Sequence, residues 1–282
     1  MEKLEHLRAV VTGGAKGIGK SLTEHLYREG ASVVICGRDL KALEETCLSI
    51  DPTGTRCASI KVDVTKEEDC EKLIQFAVER LGGIDLLINN AGVYGDINEF
   101  KDADLEKWVE TIEVNLLGIV YCTKFALAEM VKQRKGKIIN LAGAGIGSKR
   151  TLPRRSAYFA SKGAVVAFTE TLAEEVAIHN IQVNAISPGA INTGFTEYLI
   201  SQGPEKAGQE TYEQAILQRE RGGDDIEKTL DLVSFLVSED GDHVSGRLLS
   251  AKWDTIEKLR TLPRDGDMFK LRRIDNDLFH GA

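Results

Sequence analysis

Tyr158 and Lys162 stand four residues apart in "YFASK", so on a helix they share one face. A phenol titrates near pH ~10, too high for proton exchange at neutrality, and a nearby ammonium lowers that value. Such a pair suits a general acid for ketone reduction and a general base for alcohol oxidation. Spacing alone also describes many ordinary helices, so the pair takes its meaning from what surrounds it.

A nucleotide site is the first such surrounding. "TGGAKGIGK" (12–20) follows an apolar run and opens a helical pattern, with Gly13, Gly17 and Gly19 in a GxxxGxG spacing and Ile18 between the last two. Glycines there permit a tight turn and close backbone approach, and the helix start offers free N–H groups to a pyrophosphate. The second apolar run ends in Gly37 and Arg38, without the acid that would bind a ribose 2′-hydroxyl. Lys16 adds a second cation within the loop. Two cations suit a 2′-phosphate, so NADP(H) is expected over NAD(H).

These motifs need a frame that carries them. Short apolar runs at 8–12, 31–37, 58–64, 84–90, 136–143, 181–187 and 246–251 alternate with helical patterns, including 17–29, 66–81, 103–134, 157–179 and 225–238. Continuous apolar strands between helices indicate a parallel sheet covered on both faces. The expected fold is α/β, a Rossmann-type doubly wound sheet in a single domain over residues 1–251. Residues 192–224 are expected to form a long irregular substrate loop, and 252–282 a C-terminal extension that packs on its own or a neighbouring subunit.

In this order the chain resembles the short-chain dehydrogenase/reductase (SDR) family, classical type. The resemblance rests on "TGGAKGIG" (12–19), "DV" (63–64), "NNAG" (89–92), "VN" (114–115), "YFASK" (158–162) and "SPGAINT" (187–193), and covers residues 8 to about 250. It implies that Tyr158 is the acid/base, that Lys162 also binds the nicotinamide ribose, and that Asn115 bends a helix and anchors a proton-relay water. It further implies that Asp63 and Val64 touch the adenine. Asn89, Asn90, Ala91 and Gly92 would stabilise the sheet beside the cofactor, and Pro188, Gly189 and Thr193 would line its nicotinamide end.

One position departs from that pattern. The family places a serine at the end of the fifth strand, where it hydrogen-bonds the substrate oxygen; here "NLAGAGIGS" (140–148) gives Ala142 and Gly143. Losing one such donor typically costs about 3–4 kcal/mol of transition-state stabilisation. Ser148 folding back, or backbone N–H groups of the glycine-rich loop, would replace it. The expected function is therefore an NADP(H)-dependent enzyme interconverting a ketone and a secondary alcohol. Two alternatives stay open: a cofactor-binding sensor or scaffold without redox turnover, and an epimerase working through a transient ketone.

The same loop, "SKRTLPRRSAY", crowds Lys149, Arg150, Arg154 and Arg155 into seven residues of an acidic chain. Gly143, Arg150, Arg154 and Arg155 are candidate substrate contacts, and arginine forks suit an anionic, phosphorylated or nucleotide-linked sugar-like substrate. Solvated loop charges are an equally good account of them.

Bulk properties narrow the rest. Net charge is −8 among 282 residues, which argues against a nucleic-acid or membrane-surface partner. No uninterrupted apolar run approaches about 18 residues, so no transmembrane helix is expected. Cys36, Cys47, Cys57, Cys70 and Cys122 are scattered without a CxxC pair, and the histidines lack ligand spacing. That usage fits free thiols and no metal site. With no basic-then-apolar signal at the N-terminus, a cytoplasmic homodimer or homotetramer acting on a small carbonyl or alcohol is expected.

Overall fold

The computed structural model describes residues 4–143, 145–146 and 152–271. The apolar runs become strands β1 (Arg8–Thr12), β2 (Ser32–Gly37), β3 (Cys57–Lys61), β4 (Leu86–Asn89), β5 (Gly136–Leu141), β6 (Ile181–Ser187) and β7 (Leu248–Ser250). They form one all-parallel sheet in the order β3-β2-β1-β4-β5-β6-β7. Between them lie α1 (Gly17–Arg28), α2 (Leu40–Ile50), α3 (Glu67–Leu81), α4 (Leu105–Ile112), α5 (Gly118–Gln133) and α6 (Ser156–Val176). The last crossover carries α7 (Gly194–Ser201), α8 (Gly203–Ala207), α9 (Gln209–Arg221) and α10 (Glu227–Val237), and α11 (Ile256–Arg260) follows β7.

Successive strand residues feed opposite cores, which is why the runs read as continuously apolar. Ala9, Val11, Val33 and Ile35 enter one core, while Val10, Val34 and Cys36 enter the other. Local signals set the helix ends. Asp39 caps α2 through Ala42 N, acids fill the first turn of α3, and Gly82 ends it at φ 80°.

A buried amide ladder crosses the middle of the sheet. Asn89 Nδ2 donates to Asn140 Oδ1 at 2.9 Å on the paired strand and to Thr123 Oγ1 at 3.0 Å on α5. Asn140 Nδ2 in turn donates to Thr169 Oγ1 of α6 at 2.9 Å. The ladder fixes α6, which carries Tyr158, against β5, which leads into Gly143.

Three sequence expectations change. Residues 192–224 are not an irregular loop; they hold three helices. Thr193 caps the first, Gly203 and Gly208 turn the chain between them at φ 71° and 84°, and Gly222 ends the third at φ 94°. The single helix expected at 103–134 carries a π-helical segment, Glu113–Leu117, with Asn115 at its centre. Residues 105–133, taken together, are also long and apolar enough to cross a membrane by length and composition. Run length missed this because charges are spaced along the helix. Within this chain α5 packs against α3 and the sheet, and α4 against α6.

The extension after β7 folds back on its own chain as far as residue 271. Arg247, 1% exposed, donates to the carbonyls of Pro263, Arg264, Gly266 and Met268. Leu248 N donates to Phe269 O at 2.7 Å, and Leu259 and Leu262 enter the core. Trp253 stays 76% exposed.

Replacing Asn140 by alanine removes two ladder bonds, leaving Asn89 Nδ2 only its bond to Thr123 and the Thr169 hydroxyl only its bond to Val165 O. Unfolding free energy should fall by about 2–4 kcal/mol, read as a lower urea midpoint.

Candidate active site

The glycine loop is built by exclusion of side chains. Gly13 and Gly17 adopt φ 66° and 53°, and a Cβ on Gly19 would overlap Gly13 O and Asn90 Nδ2. Asn90 locks the loop to β4: its Nδ2 donates to Thr12 O at 2.8 Å and Gly13 O at 3.1 Å. Thr12 Oγ1 accepts from both Asn90 N and Ala91 N at 3.0 Å. Lys16 stands at the N-cap of α1 without a side-chain capping bond, so the first-turn N–H groups face the cavity mouth. Thr193 closes over the loop, its Cγ2 lying 3.3 Å from where a Gly17 Cβ would stand. This cradle, which a Cβ would fill, fits a dinucleotide pyrophosphate.

Tyr158 and Lys162 lie on the first turns of α6, 7% and 3% exposed. Lys162 Nζ donates to Leu141 O at 2.7 Å, which brings the amine beneath the end of β5. Burial lowers Lys162 to about 8. Burial also pushes the Tyr158 phenol up, with Tyr94 adding to the rise and Arg155 opposing it. The sequence reading expects Lys162 to tune the phenol, whereas the cation that lowers it in the folded chain is Arg155. The reason is that Lys162 is itself desolvated and turned to a carbonyl.

Asn115 ties the two halves together. Its Oδ1 accepts from Val93 N at 2.8 Å, and its Nδ2 donates to Val93 O at 2.9 Å and Ser161 Oγ at 3.1 Å. Ser161 Oγ donates to Tyr158 O at 2.7 Å. The side chain is fully buried and joins the loop after β4 to the helix of the phenol.

Gly143 lies against Tyr158. A Cβ there would overlap the phenol hydroxyl and come within 2.9 Å of Cζ. The space of the family's serine side chain is occupied by the tyrosine. Ala142 N donates to Ile186 O at 2.9 Å, so that N–H is not available to polarise a substrate oxygen. Ser148, Lys149 and Arg150 lie outside the described residues.

One cavity of about 790 Å³ joins these parts. Its wall includes Gly13, Lys16, Gly17, Ile18, Asn90, Ala91, Gly92, Gly143, Arg155, Tyr158, Lys162, Pro188, Gly189 and Thr193. Gly19 and Asn115 lie beneath that wall as packing and anchor. Asp63 and Val64 stay off it: Asp63 Oδ1 accepts from Thr65, and Val64 packs under Gly118. Arg38 is also off it, 4.0 Å from Glu110. Arg154 is turned away toward Glu99 Oε1 and the carbonyl of Glu205.

The sequence reading missed two things. Asp39 lies one residue beyond Arg38 and pairs with Lys16 at 3.0 Å, so a carboxylate does stand beside the two cations. Its helix-capping position was the available signal. The rest of the lining includes an aromatic and aliphatic group, Tyr94, Leu152, Phe159, Ile191, Phe195 and Leu199, with Glu110, Thr211, Gln214 and Gln218 adding polar groups. The Tyr94 ring centroid lies 4.9 Å from Tyr158 and 4.7 Å from Phe195. Tyr94 follows "NNAG" almost directly, but α7, which supplies Phe195 and Leu199, was read as loop.

Comparison with known proteins identifies the family. Residues 8–203 match the family model for short chain dehydrogenases. The chain is 32% identical to dehydrogenase/reductase SDR family member 4 of Sus scrofa, over 91% of this chain and 89% of that one. It is 35% identical to the 3-oxoacyl-[acyl-carrier-protein] reductase FabG of Haemophilus influenzae, over 86% and 94%. Among solved structures, an NAD+-bound xylitol dehydrogenase superposes with TM-score 0.80 at 29% identity, covering 88% of this chain and 98% of that one. An actinorhodin polyketide ketoreductase variant with NADPH superposes with TM-score 0.77 at 28% identity, covering 89% and 96%.

Two outcomes follow from the packing. Gly143→Ala should displace the phenol and cut kcat about 100-fold in steady-state assays, and Gly143→Ser should give no rescue. The second concerns Lys162, whose folded value of about 8 lies below its unfolded value near ~10.4. From pH ~8 to ~10 the unfolded chain holds the extra proton, so the cost of burying this amine shrinks as pH rises. Without cofactor, the stability of wild type relative to Lys162→Met should rise by about 2–3 kcal/mol across that window, followed by chemical denaturation.

Proposed function

Because the chain belongs to the short-chain dehydrogenase family, we propose that it is an NADP(H)-dependent oxidoreductase interconverting a ketone and a secondary alcohol. The observation that carries this reading is that the glycine cradle and the Tyr158 hydroxyl open into the same cavity. The nicotinamide group supplies or accepts hydride when bound. Tyr158 holds the proton exchanged at the substrate oxygen, and burial keeps it protonated until that oxygen arrives. Lys162 keeps an amine one helical turn away, held by Leu141 O, where a ribose hydroxyl or the phenolate can replace that carbonyl. The aromatic wall excludes water and favours an apolar substrate body.

NADP(H) preference rests on Lys16 and Arg38 flanking the end of β2, with Asp39 as the opposing charge. A 2′-phosphate would draw Lys16 from Asp39 toward itself. The basic loop suggested a phosphorylated or nucleotide-linked sugar. Arg154 is already engaged by Glu99 and Glu205, and the apolar wall favours a less hydroxylated body. Phe100, Leu105 and Val109 expose 65%, 65% and 51% of their surface, which supports a homodimer or homotetramer. The thiols are free, with Cys57 Sγ 3.2 Å from Cys47 Sγ, a usage that fits a reducing, cytoplasmic setting. The occupied serine position favours one second reading, a cofactor-binding sensor without turnover.

Tyr158→Phe should lower kcat for ketone reduction by about 10²–10⁴-fold while fluorescence still reports cofactor binding; undiminished turnover would overturn the assignment. Arg38→Ala should shift the ratio of KM values toward NAD(H) by about tenfold, and Asp39→Asn should shift it the other way.

A further inference from the structure

Arg155 is the residue just before α6 and one turn before Tyr158. It is 5% exposed and lines the cavity. Its guanidinium carbon lies 5.9 Å from the ring centres of both Tyr94 and Phe159. The other cations on this wall have acceptors. Lys162 donates to Leu141 O, Lys16 pairs with Asp39, and Lys107 pairs with Asp104. Arg155 has no carboxylate within ion-pair distance among the described residues, and its buried Nε has no hydrogen-bond partner.

A guanidinium enclosed by aromatic rings is poorly solvated, and leaving it uncompensated is costly. The Tyr94 hydroxyl accepts a hydrogen bond from Arg155 and feels its charge, but as a neutral phenol raised by burial it supplies no counter-charge. The planar fork is suited to two parallel bonds from one oxyanion. The arrangement is therefore complete only when an anion enters with the ligand, beside the phenol that handles the carbonyl oxygen. The balance of charge narrows that anion. Beside the rings of Tyr94 and Phe159, one guanidinium without a carboxylate partner matches a single negative charge; a phosphate dianion would leave surplus charge against those rings.

We propose that Arg155 binds the carboxylate of the substrate, so that the enzyme acts on an apolar keto acid or the matching hydroxy acid. The inference rests on the reading that this cavity takes the carbonyl substrate, and it goes further by naming the second recognition group and its partner.

The test uses matched ligands. Binding of an aryl carboxylate, its methyl ester and the corresponding aryl phosphate to the cofactor-loaded full chain is measured by calorimetry, which needs no turnover. Kinetics are then measured on a keto acid and its methyl ester. The wild type should favour the carboxylate over the ester by about 100-fold in both. Arg155→Met should erase most of that ratio, and Arg155→Lys should restore part of it, with circular dichroism confirming the fold. Equal losses for acid and ester would overturn the proposal and assign Arg155 to positioning Tyr158. Tighter binding of the phosphate would overturn the choice of carboxylate. Carboxylate binding dependent on Arg155 without hydride transfer would instead count against the oxidoreductase reading alone.

Discussion

The packing of α6 on β5 is the constraint on which the site depends. Asn140, paired with Asn89 across the strands, reaches Thr169 on the helix and sets its height along the sheet. One end of that helix then places Lys162 under Leu141 O and Tyr158 over Gly143. Buried amides have few ways to satisfy both donors and acceptors, so this ladder admits little sliding. A strand and a helix held only by apolar contacts would specify the phenol's position less tightly.

The same economy joins the cofactor side to the chemistry side. Asn90 holds the glycine loop to β4, and Asn115, at the centre of a π-helical segment, holds the backbone after β4 to Ser161 of α6. Four asparagines, Asn89, Asn90, Asn115 and Asn140, thus connect the cradle, the central strands and the acid/base helix. Each satisfies backbone or side-chain groups that would otherwise be orphaned in the interior. The oxidoreductase scaffold is tied together by these bonds where atoms must meet, and the substrate-side wall is supplied by α7 and residues 152–155.

The altered serine position gains a physical meaning in this setting. Without a Cβ at Gly143, the phenol packs directly against the backbone there. Burial raises its affinity for a proton, and Arg155 opposes that rise. The cation that acts on Tyr158 is therefore Arg155 on the substrate wall, while the amine one turn below is turned to Leu141 O.

Strands, glycine cradle and the Tyr158–Lys162 pair were legible in the chain itself because each is encoded locally. Continuous apolar runs state a sheet covered on both faces, glycine spacing states a backbone turn, and four-residue spacing states a shared helix face. The helices of 192–224 were hidden because short segments bounded by Gly203, Gly208 and Gly222 look like loop until they pack. Arg154 and Arg155 are indistinguishable as neighbours in sequence, yet one turns to Glu99 and the other into the cavity. Asp39 reads as a cap until Lys16, 23 residues away, is folded onto it. Periodicity determined the frame, whereas the direction of each charge was decided by tertiary packing, because desolvation and pairing depend on distances that no local pattern contains.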